Sequence, residues 1–455
     1  MPLNLVGATG SLPGRFIQGP QDSIQLSELI ERSSFACGLE PIRGRSVLIA
    51  TRGQLTAAVA LMELDGIARR LILCPANLSP EDVSAVMAIG SVDCIVSDKL
   101  PVVGGEGKPS VVCGPVISPA RSGQHRDQQT EWVLLTSGTT GAPKLVVHTL
   151  QTLTAPIVGS GIDAAPAIWS TFYDIRRYGG LQILLRALLG GGSLVLSSDQ
   201  EPIENFLKRA AGAGVTHISG TPTHWRRALM SGGLNALSPR YVRLSGEIAD
   251  QQILDRLRSA FPSADIAHAF ASTEAGVAFA VGDGRSGFPA SFLGRQAGEV
   301  EIEVVQGSLR IRSPRIALRY LDDRSGAAGR SLTDSAGFVD TGDLVQQHDN
   351  RCYFVGRRDG VINVGGLKAY PEEIEAVINR HPGVCVSVVR GQRNAITGAL
   401  VVADVVAASD LSDTDVLRRS ILDSCRGALA PHKVPAVVRF VPHLDIAATG
   451  KLVRL

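Results

Sequence analysis

The stretch "EWVLLTSGTTGAPK", Glu131 to Lys144, runs from an apolar segment into a loop that carries four hydroxyls and two glycines and ends on a single lysine. "EWVLL" reads as a buried strand, so the loop leaves a sheet edge, where α/β proteins usually bind ligands. Small residues after a strand (Thr136, Ser137, Gly138, Thr139, Thr140, Gly141) expose backbone N–H groups beside hydroxyl donors. Such a nest attracts phosphate oxygens, and Lys144 adds a full positive charge, so the loop suits a triphosphate. It is not a Walker A loop, which needs glycine directly before the lysine, where Pro143 stands. A flexible Ser/Thr/Gly turn is the plain alternative, and the loop alone does not choose between them.

The flanking sequence supplies the fold class. From residue 46 the runs "SVLIA", "RLILCP", "DCIVS" and "SLVLS" alternate with helical patterns, the signature of parallel strands joined by crossover helices. "EPIENFLKRAAGAG" reads as a helix with Pro202 at its first position and Gly212 or Gly214 at its end. Near residue 300, "EVEIEVVQGSLRIRSP" alternates about a glycine turn and reads as an antiparallel hairpin. A fresh unit then begins: a strand, the helix "PEEIEAVINRH", the strands "VCVSVVRG" and "ALVVADVV", and the helix "TDVLRRSILDSC". These patterns predict a large N-terminal α/β domain over 1–358 and a small α+β domain over 359–455, divided at Asp359.

Composition narrows the partners. With 45 basic and 43 acidic residues in 455, the chain lacks the basic excess of a nucleic-acid groove or a polybasic membrane surface. Its seven cysteines show no CxxC spacing, which fits reduced thiols of the cytosol better than disulfides or a zinc site. Neither a secretory leader nor a membrane span is expected, and oligomeric state is not readable.

Four further stretches carry chemistry. In "FASTEAG", Phe270 to Gly276, a strand leads into a polar turn whose Glu274 can hold Mg²⁺ beside phosphates. "DTGDL", Asp340 to Leu344, offers the Asp343 carboxylate to the hydroxyls of a ribose, although alone it reads as a surface turn. "GRRDGVINVGGLKAYPEEIE" looks like a hinge, with Gly365 and Gly366 allowing close approach to the backbone. "ATGKLVRL" puts Lys451 on a tail that could swing into a cleft.

In this order the five motifs resemble the ANL superfamily of adenylate-forming enzymes, which includes acyl-CoA synthetases, peptide-synthetase adenylation domains and luciferases. The resemblance spans roughly residue 130 to the end. It implies layered α/β sheets with a distorted β-barrel, a mobile lid turning about Asp359, and a site between the two. It implies ATP, Mg²⁺ and coenzyme A as cofactors and a small carboxylic acid as substrate. The acid would attack the α-phosphate of ATP, and a thiol would then displace AMP. Lys451 would stabilise charge on the α-phosphate, Thr273 would bond it, and Glu274 would hold the metal. Thr136, Ser137, Thr139, Thr140 and Lys144 would hold the β and γ phosphates. Phe270, Ser245, Gly246, Glu247, Asp343 and Arg357 would hold the nucleoside, and Gly365 and Gly366 would line a pantetheine tunnel.

The departures concern mainly the acyl pocket. The first 130 residues are short for the family, Phe270 replaces the usual tyrosine, Ala271 stands at the next glycine, and Asn363 stands where many members carry lysine. "STFYDIRRYGGLQ" lacks the familiar pocket histidine and offers Tyr173 and Arg177, while "SGTPTHWRRALM" adds His224 and Arg227. Malonyl-CoA synthetases carry an arginine in a segment similar to "PTHWRRAL". A buried arginine there would pair with a second anionic or polar group on the acid. Otherwise both arginine pairs lie on solvent-facing helix sides. Two other functions stay open: a freestanding enzyme that loads a carrier protein, and a nucleotide-binding regulator without turnover.

Overall fold

The computed structural model describes residues 14–114, 118–119, 126–136, 143–157, 166–295, 299–322, 326–408, 414–445 and 451–452. Two eight-stranded sheets build most of the N-terminal part. In one, β1 (Glu131–Thr136) and β2 (Lys144–Thr149) pair antiparallel with Thr136 opposite Lys144, so the two strands that flank the hydroxyl-rich stretch are neighbours. The strands Arg70–Leu73, Ser46–Ile49 and Cys94–Ser97 continue that sheet in parallel from β1. Every residue of these three is buried, which explains why they read as unbroken apolar runs.

The second sheet holds Ile168–Thr171, Ser193–Leu196 and His217–Gly220 in parallel. Helix α1 (Tyr178–Leu189) joins the first two of these strands, and α2 (Pro222–Met230) follows the third. Next in the sheet are β3 (Tyr241–Ser245) and β4 (Asp265–Ser272), with β5 (Gly276–Val281) antiparallel at the edge. The helix expected after Glu201 spans Ile203–Gly212 with Pro202 as its N-cap, one place earlier than read, and Gly214 follows at φ +72°.

A third, six-stranded sheet stands where the resemblance implies a distorted barrel. Its hairpin Glu301–Val305/Ser308–Arg312 turns through Gln306 and Gly307, both at positive φ, the geometry that suits the right-handed twist of its strands. β6 (Val339–His348) and β7 (Arg351–Arg357) complete the part that faces the site. "DTGDL" therefore lies inside a ten-residue strand rather than forming a surface turn. The strand accommodates it because Gly342 takes φ +71° and the pairing register slips beside Leu344.

After Arg357 the chain builds a separate core from Ile362, Ile374, Val389, Val401, Ile421 and Val438, around helix α3 (Pro371–Ile378) and a three-stranded sheet. All seven cysteines are free, and six of them are buried. No helix among the described residues is long and apolar enough to cross a membrane.

Candidate active site

Strand ends from all three sheets meet near the C-terminal edge of β3 and β4. The β1–β2 hairpin contributes Thr136 and Lys144; Ser137, Gly138, Thr139, Thr140 and Gly141 lie outside the described residues. Lys144 Nζ stands 5.9 Å from the ring centroid of Tyr320, and the Tyr320 hydroxyl donates to Glu274 Oε1 at 3.2 Å. One tyrosine thus ties the loop lysine to the Thr-Glu turn.

A second tie runs through His148. Its Nε2 donates to the Thr273 carbonyl at 2.7 Å, and its Nδ1 lies 2.9 Å from Thr152 Oγ1. A carbonyl only accepts, so the proton sits on Nε2, and burial holds the ring neutral with its pKa pushed down to about 4. The turn is closed by the Ala275 amide on Ser272 Oγ and by Gly276 at φ +74°. A Cβ on Gly276 would fall 2.5 Å from the Arg315 carbonyl, so no other residue fits.

Across the cleft, Asp343 on β6 and Arg357 on β7 are register partners, with Oδ1 and Nη1 3.7 Å apart. Burial raises the Asp343 pKa against the opposing pull of Arg357, Thr341 and Lys451. Phe270 is half-buried in a row of rings, stacked on Phe354 at 5.3 Å and on Phe279 at 5.8 Å. The tail enters between these groups. The Lys451 stem passes over Gly246, whose ideal Cβ would lie 3.6 Å from Cε, and Gly246 holds φ +89°. Water still reaches the Lys451 side chain, but the surrounding walls lower its pKa; Glu247, Asp343 and Glu274 oppose the shift and Arg357 adds to it.

Glu247 fastens this tail. Its carboxylate accepts the Thr223 amide at 2.9 Å and the Thr223 hydroxyl at 3.0 Å in the first turn of α2. It also accepts the Leu452 amide at 3.3 Å. Next to it, Ser245 O accepts the Tyr173 hydroxyl at 2.7 Å, which links the end of β3 to the cavity behind.

That cavity, about 20 Å³, is lined by Tyr173, Gln182, Arg186, Ser219, Arg243 and Ser245 among others. The arginines singled out in the sequence stand elsewhere. Arg177 caps α1 and donates to Asn77 Oδ1 at 3.2 Å, outside the cavity lining. Arg227 is exposed on α2, beside His224. His224 is locked in the capping box of α2 and stacked on Phe172 at 5.4 Å, with its pKa pushed down to about 3 by burial and by Arg227. Among the described residues, the arginines that line this cavity are Arg186 and Arg243.

Arg357 Nε donates to Asp359 at 3.1 Å, directly ahead of the hairpin Ile362–Val364/Leu367–Ala369. Gly365 and Gly366 form its two-residue turn at φ +58° and +86°, with open space around both. Positive φ at both turn positions explains the glycine pair. Taken together, the cleft presents the Lys144 amine, a carboxylate turn, an acid–arginine pair and the Lys451 amine around one space, with a cationic pocket behind Ser245. This set suits an anionic nucleotide in line with a carboxylic acid.

The sequence profile of the AMP-binding enzyme family matches residues 56–321, and that of the AMP-binding enzyme C-terminal domain matches 373–451. The chain is 25% identical over 469 residues to a 2-succinylbenzoate–CoA ligase of Bacillus cytotoxicus, covering 96% of this chain and 94% of that one. In fold it is similar to an anthranilate CoA ligase in complex with anthranoyl-AMP, with TM-score 0.82, 19% identity, and 99% and 95% of the two chains covered. A benzoate CoA ligase from Burkholderia xenovorans is similar at TM-score 0.80 and 19% identity, over 99% and 98% of the two chains. The larger match spans more than half of the sequence, and the chain belongs to the AMP-binding enzyme family.

Proposed function

We propose that the protein is an AMP-forming acid:CoA ligase. The reading is carried by one observation: the Lys451 stem passes over Gly246, with its amine within the influence of Glu274 and Asp343. Its named relatives and structural neighbours among CoA ligases support the same reading.

In the first half-reaction a carboxylate oxygen attacks the α-phosphorus of ATP, the new P–O bond forms, and the bond to the pyrophosphate oxygen breaks. Negative charge accumulates on the α-phosphoryl oxygens, which protonated Lys451 and the Thr273 hydroxyl would stabilise. Thr136, Lys144 and the loop between them hold the departing phosphates, Asp343 and Arg357 hold the ribose, and Phe270 lies against the adenine. Mg²⁺, when bound, screens the phosphate charge; Glu274 fits it, because Mg²⁺ needs only one or two protein carboxylates beside phosphate oxygens. In the second half-reaction the thiolate of CoA attacks the acyl carbon and AMP leaves. The small domain turns about Asp359, withdraws Lys451 and brings Gly365 and Gly366 to the pantetheine path. Reduced, packed cysteines fit a cytosolic setting.

Pyrophosphate–ATP exchange across a panel of acids, followed by thioester formation on adding CoA, tests the assignment. Lys451→Ala is expected to slow exchange by about 10²-fold or more, while thioester formation from supplied acyl-adenylate is spared. Equal loss in both half-reactions rejects the alternation.

A further inference from the structure

We infer that the acid carries a second anionic group, and that Arg243 with Arg186 reads it. This rests on the ligase reading above and names the substrate class for the same site.

Arg243 and Ser245 lie on one face of β3, so Arg243 sits ~7 Å deeper than the nucleotide end. Tyr178, Gln182 and Arg186 line the cavity from one face of α1 at four-residue spacing, which puts Arg186 ~12 Å along the helix from Tyr178. The two guanidiniums therefore meet at the end of the cavity remote from Lys451. Arg315 approaches from the other side, close enough that Arg243 and Arg315 both help to lower the Arg186 pKa, behind the larger effect of burial.

Among the described residues, none of these three arginines has a carboxylate within ion-pair distance. Their hydrogen bonds are few and mostly long. Arg186 Nη2 donates to Pro156 O at 3.4 Å, and Arg243 Nη1 donates to Tyr241 Oη at 3.4 Å. Arg315 Nη1 reaches Val277 O at 2.8 Å and Ala278 O at 3.4 Å, and its Nε has no partner among the described residues. Elsewhere the buried arginines either pair with a carboxylate, as Arg70 does with Glu131, Arg176 with Asp174, Arg226 with Asp250 and Arg351 with Asp283, or, like Arg15, donate to the carbonyls of Gly192, Ala187 and Leu188 at 3.0, 3.1 and 2.7 Å. Arg243 is only 8% exposed and breaks that rule.

Burying guanidiniums side by side with no counter-charge is costly, and an anion arriving with the ligand removes the cost. The reacting carboxylate cannot be that anion, because it must stand at the Ser245 end to meet the α-phosphate. The second charge therefore belongs to the far end of the acid. Gln182 donates to Leu153 O at 2.8 Å and leaves its own Oε1 without a partner; a water or a hydroxyl on the acid supplies the donor.

The test compares dicarboxylic acids (malonic, succinic, glutaric and phthalic) with their monomethyl esters in pyrophosphate–ATP exchange by the wild-type protein. Each ester keeps one reactive carboxylate and loses only the remote charge. At least one diacid is expected to be turned over, with kcat/KM lowered at least about 10²-fold in its ester, the loss that follows from leaving a buried charge unpaired. Arg243→Met is expected to erase that preference while Arg243→Lys keeps part of it, with melting curves to report folding. Should Arg243→Met fail to fold, the wild-type comparison decides alone. Esters or simple monocarboxylic acids that work as well as the diacids overturn the inference and leave the ligase reading standing. No exchange with any acid, monocarboxylic or dicarboxylic, overturns both.

Discussion

Tyr320 and His148 do work that no motif announces. Tyr320 offers its ring to Lys144 and its hydroxyl to Glu274, so it sets the spacing between the start of β2 and the carboxylate turn. Tyr320→Phe keeps the ring and removes the hydrogen bond. A single neutral donor to a charged acceptor contributes about 1.5 kcal/mol or more, so the KM for ATP at fixed magnesium is expected to rise about tenfold with little change in melting temperature. An unchanged KM would mean that Glu274 is positioned by its backbone alone. Gly246 is a second single-residue test. At φ +89° any side chain costs about 1–2 kcal/mol, and a methyl there also touches the Lys451 stem. Gly246→Ala is therefore expected to lower both stability and exchange rate, whereas a purely structural glycine would lower only the first.

At the scale of elements, α2 and the tail act as a unit through Glu247. The Glu247 carboxylate is held by the helix's first turn, where backbone N–H groups and the helix dipole favour negative charge, and it reaches the amide that follows Lys451. Because Glu247 raises the Lys451 pKa against the lowering effect of the cleft walls, Glu247→Gln lets that pKa fall further. The basic limb of the exchange pH profile is expected to move to lower pH; a limb that stays put would detach Lys451 from that limb. Elements of this kind were readable where composition is unusual at a strand end, as in the β1–β2 loop, "FASTEAG" and the glycine pair. They were unreadable where the signal is one residue whose partner is distant in sequence. His148 meets Thr273 across 125 positions, and nothing local in "LVVHTL" distinguishes a structural histidine from any other. Arg177 and Arg227 stand outside the cavity lining for a helical reason. On α2, Trp225 and Ala228 point inward, so Arg227, about 200° from Trp225, points out. On α1 the inward row is Tyr178, Gln182 and Arg186, which leaves Arg177 at the cap.

The whole molecule depends on histidines that burial keeps uncharged. His148 and His224 sit at about 4 and about 3, well below the ordinary value of 6.5. The unfolded chain takes up protons there that the folded chain refuses, so their stabilising effect is complete above about pH 6.5 and is lost as pH falls toward 4. For His148 alone the loss amounts to about 3 kcal/mol. Asp65 works the other way: burial raises its carboxyl to about 6, so the folded state keeps a proton that the unfolded state releases above its ordinary value near 4. Two histidines against one carboxyl leave the unfolded state with about one extra proton between pH 4 and 6, and stability still falls on acidification. The urea midpoint is expected to drop from pH 7 to 4.5, and His148→Gln to flatten that drop whatever it does to the midpoint at pH 7. A variant whose midpoint falls as steeply as the wild type would show that His148 is not what titrates. In that case the tie between β2 and the Thr273 turn would not set the acid limit of the fold.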